Sequence, residues 1–345
     1  MTLAQKIGQM LLFGWSGDTP EASQSVNAHA AALIEDFLGG GVILMGRNIG
    51  PPDQTRATIT KLQALAEAKG LPPLFVTVDQ EGGRVQRLGP PDYPKRPSAR
   101  QIGVGGSPDT ARTAARALGE ELRGLGFNGD FAPVLDVNNN PRNPVIGDRS
   151  YSDDPSVAAA LGAAAVRGFQ EDAGIWACGK HFPGHGDTET DSHHALPRIP
   201  HDRARLEAVE LVPFRAAIDA GLAAVMTSHI LFPALDPHLP ATLSPAILTG
   251  LLREELGFDG LIVTDDLEMK GVADGWGAPE AAVLAVLAGA DILLCCHTWT
   301  TQAAIYAALV YAVETGRLPV SRVDEAVSRI AAAKARWLTF PTQHL

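Results

Sequence analysis

A chain of 345 residues, 46% hydrophobic and 19% charged, is too apolar for a disordered protein and shows no coiled-coil or collagen-like repeat. A net charge of −11 comes without the basic stripe that nucleic acid binding needs, and gives no attraction to anionic surfaces. Three cysteines, Cys178, Cys295 and Cys296, make neither a disulfide framework nor a Cys-x-x-Cys zinc pair, which fits a reducing compartment.

The chain opens MTLAQKIGQMLLFGW, where Leu3, Ile7, Met10 and Leu11 are expected on one face of a short helix. The apolar run is too short for a secretory signal, and no stretch approaches the roughly 20 residues of a membrane span. A cytoplasmic protein is expected, although export with removal of a leader stays open. Eight strands are predicted in order: 10–15, 41–45, 74–79, 129–137, 176–181, 223–229, 260–265 and 292–296. Most are continuous apolar runs, the pattern of parallel strands buried on both faces.

Helical stretches lie between them. Ser107-Pro108 introduces a helix-like run, and Gly103–Gly106 before it reads as a turn. Ser244 and Pro245 are expected to open a helix over 246–256 that Gly257 closes. Another helix is predicted over 279–287, ending at Gly289. A last one is predicted over 321–337, with Ser321 and Asp324 at capping-box spacing. Eight strands alternating with helices predict an α/β fold, a (β/α)8 TIM barrel, as one domain over residues 1–345. An open doubly wound sheet is the alternative, but no Gly-x-Gly-x-x-Gly follows the first strand.

In such barrels the chemistry sits at the C-terminal strand ends. Polar residues gather there: Asp79, Asp136, Lys180 with His181, His229, and Asp265 with Asp266. Each would cost desolvation if buried without a partner, so a shared site explains them better than unrelated caps. The densest segment is GKHFPGHGDTETDSHH, residues 179–194. Three readings of it compete. His181, His185, Asp187, Asp191, His193 or His194 could hold a metal. Alternatively, Asp191 orients His193 as a proton donor. The third reading is a solvated loop. Against a metal stand the lysine at the strand end and the absence of His-Glu-x-x-His.

Asp265 in LIVTDDLEMKGV ends an apolar strand, where a carboxylate can attack an electrophilic carbon. Asp266, nearer the next helix, reads as its cap. In DQEGGRVQRLG, Asp79 with Arg84 and Arg87 could grip sugar hydroxyls or form surface ion pairs.

Five segments, VDQEGGRVQR (78–87), FAPVLDV (131–137), IGDRSY (146–151), GKHFPGHGDTETDSH (179–193) and VTDDLEM (263–269), together resemble glycoside hydrolase family 3. Within it they resemble the single-domain β-N-acetylglucosaminidases of peptidoglycan recycling. The resemblance implies a TIM barrel that releases terminal β-linked N-acetylglucosamine from muropeptides with retention, through a covalent glycosyl-enzyme. By motif position it makes Asp265 the nucleophile and His193 the acid/base, oriented by Asp191. It assigns Asp79, Arg87, Arg149, Lys180 and His181 to sugar binding, Arg149 having no pattern of its own. A histidine acid departs from the usual carboxylate pair of retaining glycosidases. No metal and no cofactor is implied. The expected partner is a small carbohydrate or muropeptide substrate, with no nucleic acid and no membrane.

Two-domain members that act as β-glucosidases usually take their acid/base from a second domain, and none is expected in this chain, which ends at Leu345. A β-N-acetylglucosaminide phosphorylase is the near alternative. A metal-dependent barrel hydrolase and a non-catalytic sugar-binding protein are the alternatives of other classes. Trp176 and the three cysteines are expected to pack in the core.

Overall fold

A computed structural model describes residues 1–189, 191–192 and 196–338. Eight parallel strands close into a barrel in chain order: β1 Leu11–Phe13, β2 Gly41–Ile43, β3 Phe75–Val78, β4 Gly129–Asp130, β5 Trp176–Phe182, β6 Ala224–Thr227, β7 Leu261–Asp266 and β8 Ile292–Cys295. The ring closes where Leu11, Leu12 and Phe13 of β1 pair with Leu293, Leu294 and Cys295 of β8. All eight expected strands are present, and the fold is the (β/α)8 barrel of the α/β class. Apolar side chains fill both sides of the strands. Phe13, Phe75, Trp176 and Phe182 are almost wholly buried, and so are the three cysteines.

The fourth strand is the main departure. The expected strand over 129–137 keeps only Gly129–Asp130 in regular pairing, with a single further bridge between Val134 and Lys180. Pro133 sits in this segment and has no N–H to give a ladder. Asp136 therefore lies beyond the strand, in a loop folded under the barrel mouth.

The helices between strands follow their capping chemistry. Ser107 Oγ accepts the Thr110 N–H, Pro108–Leu125 runs as a helix, and Gly126 ends it at φ +102°. Ser244 accepts the Ile247 N–H at 3.3 Å as a later helix begins, and Gly257 lies beyond it at φ +66°. That helix, Ala246–Glu255, is wound wider than an α-helix. The helix Ala278–Ala288 ends at Gly289, at φ +124°.

Two local expectations fail. The first helix spans Leu3–Gln9, so Leu11 belongs to β1 and not to the helix face. The last helix, Val320–Trp337, starts at Pro319 without a side-chain cap. Asp324 instead pairs with Lys6 at 2.5 Å, because the first helix packs beside the last one.

Candidate active site

Two adjoining hollows open at the C-terminal mouth and share Asp79, Arg87, Met226 and Asp265. One, of about 140 Å3, is lined chiefly by polar and ionisable groups: Glu81, Arg149, Lys180, His181 and His185. The other, of about 290 Å3, is lined by Ile43, Met45, Met269, Leu294 and Cys296, with Glu268, Lys270 and His297 at its polar edge.

An ion cluster forms the floor of the charged hollow. Lys180, almost fully buried at the end of β5, donates to Asp79 Oδ1 at 2.7 Å and lies 2.7 Å from Glu81 Oε1. Arg149 donates to both Glu81 oxygens at 2.8 Å, a bidentate fork. Arg87 lies 3.6 Å from Asp79 Oδ2. Burial works against the charges of Asp79, Glu81, Lys180 and Arg149, yet their partners outweigh it. Lys180 and Arg87 hold Asp79 below the usual carboxylate value. Arg149 and Lys180 do the same, more strongly, for Glu81. In return Asp79 and Glu81 hold the Lys180 ammonium above its usual value. The cluster is charged throughout the neutral range.

Glu81 escapes the sequence reading, and so does its partnership with Arg149. A signal was present. Asp79 and Glu81 are two residues apart in extended chain, so both side chains lie on one side. Gln80 between them turns the other way, accepts the Arg87 and Leu88 N–H groups at 2.8 and 3.0 Å, and holds Arg87 at the mouth. Arg84, by contrast, pairs with Asp148 and with the Val145 and Ile146 carbonyls, and does not line either hollow.

His181 is set by Asp136. Its Nδ1–H donates to Asp136 Oδ2 at 2.7 Å, and its Nε2 accepts from Arg149 Nη2 at 3.3 Å. That network assigns the tautomer. Burial, aided by Arg149, pushes His181 down to about 3, so the ring is neutral. Asp136 also accepts the His181 and His185 N–H groups at 3.1 and 2.7 Å. Burial carries its carboxyl up to about 6. His185 is pushed down to about 4 by burial and by His181. Its ring nitrogens are engaged by Thr188 Oγ1 and Ser192 Oγ.

The two aspartates after the seventh strand's apolar run part company. Asp266 turns inward: Oδ1 accepts the Glu268 and Cys296 N–H groups at 3.1 and 3.2 Å, and Oδ2 lies 3.3 Å from His297. It caps that turn; the helix that follows begins only at Lys270, with Met269 before it. Asp265 lines both hollows, with Oδ1 accepting the Asp266 N–H at 2.8 Å. His229 does not line them. It bridges Thr242 Oγ1 and the Asp266 carbonyl beneath.

The structure thus brings Asp79, Arg87, Arg149, Lys180, His181 and Asp265 together. Asp191 is half-buried in the loop after β5, beside Ser192, which lines the charged hollow. His193 and His194 lie outside the described residues. Asp187 meets His201 at 2.5 Å and lines neither hollow.

The glycosyl hydrolase family 3 N-terminal domain matches residues 2–333. A β-hexosaminidase A of Pseudoalteromonas piscicida is 37% identical over 97% of this chain and 61% of its own length. A family 3 β-N-acetylglucosaminidase structure from a Paenibacillus species has a TM-score of 0.93 and 46% identity, over 99% of this chain and 65% of that one. The chain therefore spans under two thirds of both these relatives. A β-N-acetylhexosaminidase structure from Beutenbergia cavernae, with a TM-score of 0.88 and 34% identity, is covered over 99% of its length by 97% of this chain. On these grounds the chain belongs to glycosyl hydrolase family 3.

Proposed function

We propose that the protein is a retaining exo-β-N-acetylglucosaminidase that releases terminal β-linked N-acetylglucosamine from peptidoglycan-derived muropeptides in the cytoplasm, as one domain over residues 1–345. The observation that carries the reading is Asp265, a carboxylate at the C-terminal end of β7 facing a hollow lined with charged donors and acceptors. Fixed ion pairs of this kind suit sugar hydroxyls, since their directions are set before substrate arrives. Asp79, Arg87, Arg149, Lys180 and neutral His181 would hold the sugar ring.

Asp265 would attack the anomeric carbon as the bond to the leaving oxygen breaks. The oxygen takes a proton from His193, oriented by Asp191. The same imidazole then removes a proton from water, which displaces Asp265 and releases the sugar with retention. The roles of His193 and Asp191 rest on the resemblance of residues 179–193 to the family. No step calls for a metal.

The test is release of nitrophenol from the aryl N-acetyl-β-glucosaminide beside the aryl β-glucoside, with and without chelator. Turnover confined to the N-acetyl sugar and resistant to chelator is expected. Asp265→Asn should fold normally and lose activity by roughly 10⁴-fold or more. Near wild-type activity in that variant would remove Asp265 as the nucleophile. A sugar phosphate as product would replace hydrolysis by phosphorolysis.

A further inference from the structure

A groove of about 830 Å3 lies beside the barrel mouth, lined by residues 16–18, by the helix Ala28–Glu35 and by His297–Trp299. Its volume is in the range of small-molecule sites. His297 lines both this groove and the 290 Å3 hollow that holds Asp265, so the two meet at one side chain. That side chain is held in place: Nδ1 accepts from Arg47 at 3.0 Å, and Nε2 lies 3.3 Å from Asp266. It is nevertheless 45% exposed.

Beyond His297 stands Trp299. Its ring stacks on Phe37, with centroids 4.7 Å apart and planes at 21°, and 37% of the residue remains exposed. A rigid, half-exposed indole backed by a second ring is a platform for the apolar face of a sugar. The groove's charge is one-sided. Asp18 and Asp36 line it, their carboxylates make no hydrogen bond or ion pair among the described residues, and no lysine or arginine lines it.

We propose that this groove is a second leaving-group subsite, with Trp299 as its platform, for an uncharged sugar unit. The inference rests on the exo-acting reading above. An exo enzyme holds the chain end in its catalytic pocket, so a sugar unit that reaches a groove sharing His297 with that pocket belongs to the departing side. The first leaving-group unit occupies the 290 Å3 hollow and the second passes His297 onto Trp299. The free carboxylates of Asp18 and Asp36 disfavour an anionic unit there. Linear oligomers of three N-acetylglucosamine units would fill the groove. A disaccharide substrate, or an aryl glycoside, ends before it.

The experiment compares kcat/KM for the β-linked trimer and dimer of N-acetylglucosamine, with the aryl glycoside as reference. Wild-type protein should prefer the trimer by roughly three- to ten-fold, as expected for one added stacking contact. Trp299→Ala should bring the ratio to about one and leave the aryl glycoside unchanged. Because Trp299 also packs on Phe37, Ala28→Arg gives an independent arm. Ala28 is exposed and lines the groove, so the arginine fills it without touching the core, and the trimer preference should vanish again. A wild-type ratio near one, or a ratio that survives both substitutions, overturns the subsite. Failure of the wild-type protein to turn over the aryl glycoside overturns the glycosidase reading itself, and the subsite with it.

Discussion

Lys180 shows how a single buried charge can be kept at a binding site. An ammonium this deep is unfavourable alone, and two carboxylates at 2.7 Å make it tolerable. Glu81 is the shared element, since it serves Lys180 and Arg149 together. Glu81→Gln leaves both cations short of a counter-charge in a dry place. The expected loss of stability is about 3 to 5 kcal/mol, read by urea unfolding. KM should rise as Arg149 and Lys180 lose their positions. The acid side carries a further sign. The Glu81 carboxyl is held below its ordinary value of 4.5, so its contribution is complete above that value and is lost as pH falls below it. Glu81→Gln should therefore lose less stability on acidification than wild-type protein. Equal acid profiles would show that the pair contributes nothing. Sequence reasoning reached Asp79, Lys180 and His181 because each ends an apolar run. It passed over Glu81, which lies past the strand end where Gln80–Gly82 pairs antiparallel with Val85–Gln86 as a small hairpin, and no run marks it. It left Asp136 without a partner because the bond to His181 joins a loop to β5, 45 residues further along the chain.

At the scale of the element, the strands were legible because burial on both faces writes them as unbroken apolar runs. Their ends were not, because ladder pairing depends on the neighbour as well as on the strand. The fourth strand makes the point at both ends. Pro133 stops its pairing early, and Gly129 starts it for a steric reason. In β4, Gly129 pairs with Trp176 of β5, and a Cβ at position 129 would come within 2.1 Å of the indole. The indole in turn packs edge-on against Phe75 and Phe131, with centroids 5.4 and 5.9 Å away, and has no room to retreat. Gly129→Ala should thus cost about 1 to 3 kcal/mol by overpacking. Because the clash is at the N-terminal end of the strands, kcat/KM of the folded fraction should stay close to wild type. A variant of unchanged stability would mean that the indole can shift, and a variant of normal stability but lost activity would place Trp176 nearer the chemistry than the geometry does.

At the scale of the whole molecule, closure of the barrel depends on the two ends of the chain meeting. The first helix lies against the last, with Lys6 paired to Asp324, while β1 pairs with β8. Lys334 of the last helix completes this contact. Its ammonium donates to Gln9 Oε1 at 2.7 Å and lies 5.2 Å from the centre of the Phe75 ring, with no carboxylate partner among the described residues. Burial alone pushes its pKa down to about 7 from an ordinary 10.5. Between those two values the unfolded chain binds the proton and the folded protein does not. Stability therefore rises with pH across that window, by up to about 1.4 kcal/mol per pH unit for one proton. Lys334→Met keeps the length of the side chain and removes the titration. Urea midpoints measured at pH 7, 8 and 9 should climb for wild-type protein and stay level for the variant, whatever the absolute stability of the variant. Parallel slopes would mean that the ammonium keeps its charge where the chain ends meet, and that water or Gln9 solvates it well enough to cancel the cost of burial.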